Sequence, residues 1–294
     1  MHNQFNIALS IFRVYIGVHI FKKYFFYFFN KNILFSNDTF INHPPNLFFK
    51  FLNINEIFLR NNIDFFIIFV LILSISFIFG IGKNFTAILL FINVEILQRL
   101  NLLLLNGGDN FLKFILIYLC FISCYKYFVF DKNLNQNKLL NLISEKAILC
   151  IKIHLCIIYF VSAISKVHSD LWYNGIANYY IFNNERFSNV LSYYKVFNNY
   201  ILITLSTYLA IIWELSFSFL IWSKKYKYYI LLLGLTIHLG IYFVMMIHDF
   251  EILFLSTYIL FFSDEELLIF RNKFINKIEY VQERLLNGTN RKFF

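Results

Sequence analysis

Eight apolar runs, each approaching the ~20 residues that carry a helix across a bilayer, punctuate the chain. They cover approximately 5–29, 63–82, 85–105, 111–130, 147–165, 200–222, 226–247 and 250–262, the last short enough to cross only in part. This pattern predicts an all-α fold: a polytopic transmembrane helical bundle of about eight spans, with six to eight as the range. The first run is expected to be retained, because nothing basic precedes Phe5 and Arg13 and His19 sit inside it without a small-residue cleavage site. Two of the polar intervals, 30–62 and 166–199, are longer than simple connectors. In the first, Pro44 and Pro45 open a stretch that spaces Leu47, Phe48, Phe51, Leu52 and Phe58 among polar positions, which reads as a helix lying in the interface. After residue 262, Ser263 is placed to cap a helix that starts with Asp264, Glu265 and Glu266. That helix mixes Leu267, Leu268, Phe270, Phe274, Ile278 and Val281 with basic residues, the pattern of an amphipathic tail on the cytoplasmic headgroups. With no internal repeat or linker, the expected units are a transmembrane domain over 1–262 and the tail over 263–294.

Composition sharpens this picture. Of 294 residues, 59% are hydrophobic and 15% charged, against ~25% charged in soluble proteins, which excludes a soluble globular domain. Two Pro, nine Gly and four Cys exclude a collagen-like chain and a disulfide scaffold. The net charge of +9 would point to nucleic acid in a soluble protein. Here the basic residues lie in short segments between apolar runs, where topology accounts for them, so the expected partner is the lipid bilayer and no nucleic acid. With eight crossings, fourteen basic residues fall on the N-terminal side and nine opposite. Basic loops favour the cytoplasm, so both termini are expected there and the intervals 30–62 and 166–199 outside.

An ionisable residue inside a span needs a partner or a role. The candidates are Arg13, His19, Glu95, Arg99, Lys152, His154, Glu214 and His238. Glu95 and Arg99 are four apart and can pair on one helix, or line a polar cavity. His154, Glu214 and His238 lie on three different runs, so only the fold can unite them; each histidine can equally be a core residue bonded to a carbonyl. No HExxH or similar spacing occurs, and no metal is expected. Cys120, Cys124, Cys150 and Cys156 sit in apolar runs as small hydrophobes. Two segments are more distinctive. In the first, Asn106, Gly107, Gly108 and Asp109 make a tight outer turn, in which Gly-Gly admits positive φ and Asp109 can cap the next helix. In the second, an apolar helix ends at Lys166, followed by His168, Asp170, Trp172 and Gly175. Lys166 either snorkels to water or, held against aromatic walls, loses solvation and becomes a base.

Taken in order, these segments resemble the HTTM family, the membrane domain shared by vitamin K-dependent γ-carboxylases and bacterial relatives such as sporulation-delaying protein B. The resemblance covers most of the chain. It rests on Arg13 with Phe-Ser-Asn-Asp at 35–38, then Arg99 and Asn-Gly-Gly-Asp, then Tyr-Phe-x5-Lys ending at Lys166 with Trp172 and Gly175 downstream. Glu214 before an aromatic and aliphatic run and His238 in HLGIYFVMMIHDF complete it. In the carboxylase branch the lysine matching Lys166 is the base that deprotonates reduced vitamin K, which implies a quinone cofactor. Asn-Gly-Gly-Asp stands here where that branch has Asn-His, and no large lumenal domain is expected after residue 262. The smaller bacterial members match in size and imply a bacterial inner-membrane protein that helps mature or modify an exported peptide, together with a small partner protein. On that reading Lys166 is central, with Asp109, His168 and His238 supporting it; Arg13, Glu95, Arg99, Asn106, Trp172, Gly175 and Glu214 form the polar core. A quinol-dependent membrane enzyme and a non-enzymatic carrier or immunity-type protein are the alternatives, so whether the chain is an enzyme stays open at the level of sequence.

Overall fold

The computed structural model describes residues 6–35, 47–130, 138–184, 199–245 and 247–289, with side chains as far as Asn276. Ser36, Asn37 and Asp38, the Pro44-Pro45 pair, Lys132, Arg186, Lys195 and the side chains of Ile278 and Val281 lie outside the described residues. The described chain is all-helical. Its longer helices are α1 (Asn6–Phe35), α4 (Ile63–Ile78), α5 (Lys83–Leu100), α6 (Gly107–Leu119), α7 (Lys138–Val167), α10 (Tyr200–Leu220), α11 (Lys227–Val244), α12 (His248–Thr257) and α13 (Asp264–Thr289). Short helices α2 (Leu47–Phe51) and α3 (Glu56–Asn61) occupy the 44–60 interval, and α8 (Asp170–Tyr173) and α9 (Ala177–Phe182) follow α7.

Among the described residues three helices, α7, α10 and α11, are long and apolar enough to cross a membrane, and α4 is a shorter apolar helix. Their outward faces carry Ile157, Val161, Leu205, Ile212, Phe219, Leu232 and Phe243 in exposed positions. A surface this apolar is at home against lipid, and the protein is membrane-associated on that ground.

Side-chain contacts define two ends of the bundle. At one, the amides of Asn6 and Ile7 donate to the Asp264 carboxylate at 2.9 and 2.8 Å. There too, Asn84 Nδ2 donates to the Cys120 carbonyl at 2.7 Å and Lys227 pairs with Glu266. At the other, Lys22 pairs with Asp249, Lys23 with Asp109 and Lys31 with Asp64. Arg60 there donates to the carbonyls of Phe35 and Leu100 at 3.0 and 2.7 Å. The longer helices run alternately between these ends. α1 and α4 pack along their length, with Gly17 against the Ser74 carbonyl and the Ile78 side chain, an approach that any side chain at 17 would obstruct.

Local sequence sets the helix ends. Asn55 accepts from the Phe58 amide at 3.0 Å, and Asn199 caps α10 from the Ile201 and Leu202 amides. Ser263 and Glu266 satisfy each other's amides at 3.2 and 2.8 Å, so α13 starts at the cap read from sequence. The expected span over 111–130 is different: α6 ends at Leu119 and the chain turns back through 121–130. The Cys120 and Ile122 carbonyls, which a helix continued to 130 would bond internally, accept instead from Asn84 Nδ2 at 2.7 and 3.2 Å. The fully buried Arg13 holds the turn that follows by donating to the carbonyls of Tyr127 and Phe128 at 3.1 and 2.7 Å. Phe128 takes φ 56° in that turn. The expected interfacial helix over 44–60 is split into α2 and α3 at Asn53, whose φ is 54°.

Candidate functional site

Six helices, α9 among them through Asn178 and Ile181, converge on a cavity of about 430 Å³ at the end of the bundle where α7 finishes. α7 contributes Tyr159, Ser162 and Lys166, α8 Trp172, α10 Trp213 and Glu214, α11 His238, and α12 Glu251 and Phe254. Tyr159, Ser162 and Lys166 recur every three or four residues, so α7 turns one stripe toward the cavity. Around these groups the lining is largely apolar, with Ile158, Ile181, Leu209 and Ile241 among it. An apolar enclosure with a few convergent polar groups is the general form of a small-molecule site.

Two ionisable assemblies face this space. In the first, Lys166 pairs with Glu214 Oε1, which also accepts from Ser162 Oγ at 3.3 Å. The Lys166 ammonium sits 4.8 Å from the Trp172 ring centroid, the geometry of a cation–π contact. Glu214 Oε2 has no hydrogen-bond partner among the described residues. Of the two roles open to Lys166 in the sequence, the structure gives the aromatic wall; it also adds a carboxylate, so the amine is held as a paired ammonium.

The second assembly is a hydrogen-bonded chain. His238 Nδ1 meets Glu251, which is 1% exposed, and His238 Nε2 meets the Tyr159 hydroxyl at 2.7 Å. The Tyr159 hydroxyl in turn lies 3.1 Å from that of Tyr258. Every proton has an acceptor if Tyr258 donates to Tyr159, Tyr159 to Nε2, and Nδ1–H to Glu251. In that order His238 donates at Nδ1 and accepts at Nε2.

The remaining candidates lie elsewhere. Asp109 and Asn106 form a reciprocal cap on α6, with the Asp109 amide donating to Asn106 Oδ1 at 3.1 Å and the Asn106 amide to Asp109 Oδ2 at 3.0 Å. Asp109 Oδ1 takes Lys23, so the structure brings Asp109 to α1 rather than to Lys166. His168 is exposed, its Nδ1 2.8 Å from the Ile164 carbonyl one turn back. His154 meets the Tyr118 hydroxyl at 3.2 Å and the Phe114 ring, apart from Glu214 and His238. Glu95 and Arg99 pair at 2.5 Å, and Arg99 lies 3.8 Å over the Phe48 ring. Arg13 holds the 121–130 turn. Gly175, at φ +72°, seats the α8–α9 connection against Thr204 and Tyr208 of α10 and so fixes Trp172 beside Lys166.

Glu251, Tyr159, Tyr258 and Lys23 do not stand out in the sequence as site residues. Glu251 carries a legible sign: it is an acid inside the apolar run 250–262, the same criterion that marks Glu214. Tyr159 opens the Tyr-Phe-x5-Lys motif without being assigned a role there, and Tyr258 carries no sign, being one of 20 tyrosines. Among the described residues no group of three or more His, Cys, Asp or Glu side chains converges as metal ligands would. Comparison with protein-family models, curated proteins and solved structures finds no match to this chain.

Proposed function

We propose that this chain is an HTTM-type integral membrane protein whose cavity performs acid–base chemistry in the maturation or modification of an exported peptide. In this reading it crosses a bacterial inner membrane eight times with both termini in the cytoplasm, and the cavity faces outward. The observation that carries it is the convergence of Lys166–Glu214 and Glu251–His238–Tyr159 on one mostly apolar space. Such groups supply proton transfer without further machinery. As a paired ammonium, Lys166 serves first as an acid. It becomes a base once its proton passes to Glu214, after which a substrate proton takes the vacated place. His238, with Nδ1–H fixed on Glu251, can accept a proton at Nε2 through Tyr159. A second reading, a quinol-dependent enzyme, draws on the aromatic part of the lining, Trp172, Trp213, Phe250 and Phe254, which suits a flat ring.

The test is Lys166→Ala in the native membrane. Loss of the processed peptide at unchanged protein abundance is the expected result; retained processing, or a loss that follows abundance, refutes the reading. Orientation is checked separately by labelling Lys50→Cys and Lys225→Cys in a background free of other cysteines. A membrane-impermeant maleimide should reach position 50 in intact cells and position 225 only after permeabilisation.

A further inference from the structure

We infer that the cavity opens sideways between α10 and α11 and takes the acyl chain of a membrane lipid into that slot. The inference rests on α10 and α11 as membrane-crossing helices, and it adds a lipid ligand to the site proposed above.

Two glycines of α11 mark the closed and the open end of the slot. At Gly234 a side chain would collide with the Trp213 ring and the Tyr258 hydroxyl, and Trp213 Nε1 donates to the Ile230 carbonyl at 3.0 Å, so α10 and α11 touch there. Further along, a Cβ at Gly240 would meet no atom of the described residues within 4 Å. The helices part in between, and Leu209 and Ala210 of α10 and Ile237, Gly240, Ile241 and Val244 of α11 line the space. This wall merges with the outer surface of the bundle on both helices. Leu209 lines the cavity yet is 43% exposed, on one stripe of α10 with the outward Leu205 and Ile212. On α11, Thr236 also lines the cavity and is exposed, on one stripe with the outward Leu232 and Phe243.

Physical chemistry selects the occupant. Water in a cavity needs polar partners. The Thr236 hydroxyl donates to the Leu233 carbonyl at 2.7 Å and the Ser206 hydroxyl to the Ile203 carbonyl at 3.0 Å, so these protons are spent within their own helices. A peptide passing through hydrocarbon must keep its backbone bonded as a helix. A third helix, about 10–12 Å across, cannot enter between two that touch at Trp213 and Gly234. An acyl chain has no polar group to satisfy and bends to fit the taper. It also restores the dispersion contacts that the walls of an empty slot forfeit, and it is the medium in which these helices stand.

The experiment uses the full-length protein in nanodiscs of phosphatidylcholine, with or without bromine near the middle of one acyl chain, because bromine quenches tryptophan only at short range. Of the three tryptophans, Trp213 is kept in one protein by Trp172→Phe and Trp222→Phe, and Trp222 in another by Trp172→Phe and Trp213→Phe. Trp213 lines the cavity and is 2% exposed, whereas Trp222, just past the end of α10, is exposed and reports lipid at the outer surface. Brominated lipid is expected to quench both. Gly240→Phe fills the slot from α11 and Leu209→Phe narrows it from α10. Each should relieve the quenching of Trp213 and leave that of Trp222 unchanged, a selective response that loss of fold or of insertion cannot give. Trp213 emission indifferent to bromine, or quenched equally with and without both blocking substitutions, overturns the lipid slot. The acid–base reading would survive that result, since it is decided by peptide processing in Lys166→Ala.

Discussion

Lys23–Asp109 and Lys166–Glu214 are the same chemical pair in two settings. Both join a lysine to a carboxylate on another helix near one end of the bundle, and both are largely buried. Both oxygens of Asp109 are engaged: Oδ1 takes Lys23, Oδ2 takes the Asn106 amide, and Gly107 and Gly108 lie against Phe250. Glu214 stands on a cavity wall, its Oε2 shielded from solvent and without a donor among the described residues. Lys227–Glu266, at the opposite end, sides with Asp109. Its two carboxylate oxygens receive Lys227, the Tyr228 hydroxyl and the Ser263 amide. An ion pair closed by backbone donors holds helices together, whereas Glu214 on its cavity wall is held by the side chains of Lys166 and Ser162.

The largest effect separating the two settings is expected from Asp109→Ala. It removes the Asp109 half of the reciprocal α6 cap and strands a nearly buried lysine, at a cost of about 3–5 kcal/mol, read as lowered resistance to denaturation in detergent. A stability equal to the parent protein would break the contrast. Next, Gly108→Ala forces a methyl within 3.0 Å of Asn106 Oδ1 and 3.2 Å of the Phe250 backbone. It should cost about 1–3 kcal/mol in the same assay. Smaller again, Tyr258→Phe removes one donor from the chain through Tyr159 and should cost about 1 kcal/mol. A loss as large as that of Asp109→Ala would mean the cavity network is as structural as the cap.

The smallest expected effect is a pH response at the opposite end. Burial alone would raise the Glu266 pKa, but hydrogen bonds from Lys227, Tyr228 and Ser263 outweigh it and hold the carboxyl at about 2. A depressed folded-state value contributes stability above the ordinary carboxylate range and loses it as pH falls toward about 2. Attachment of α13 should therefore loosen over that acidic interval, seen as faster amide exchange at its first turn, and Glu266→Gln should abolish the dependence. An exchange rate flat across the interval would remove Glu266 from the set of closed pairs.

The apolar runs and the caps are legible in the amino-acid sequence. Long apolar runs favour helices that lie against lipid, and Ser263 and Asn106 act on amides within three residues. The pairing of Glu95 with Arg99 is equally local, being one helical turn. Where the apolar pattern runs past the real helix, at 120–130, the partners are distant: Asn84 of α5 takes the Cys120 and Ile122 carbonyls, and a buried arginine on α1 lies 114 positions before the Tyr127 carbonyl that it binds.

Hydropathy and capping operate over a few residues, which is why an apolar helical protein, its cap-bound helix ends and its short-range pairs follow from the order of amino acids alone. Which lysine meets which carboxylate is a matter of tertiary packing. Lys23 and Asp109 are separated by 86 positions, Lys166 and Glu214 by 48, and Tyr159 and His238 by 79. Ion pairing and cavity formation depend on distances through space, and those are fixed by how whole helices pack.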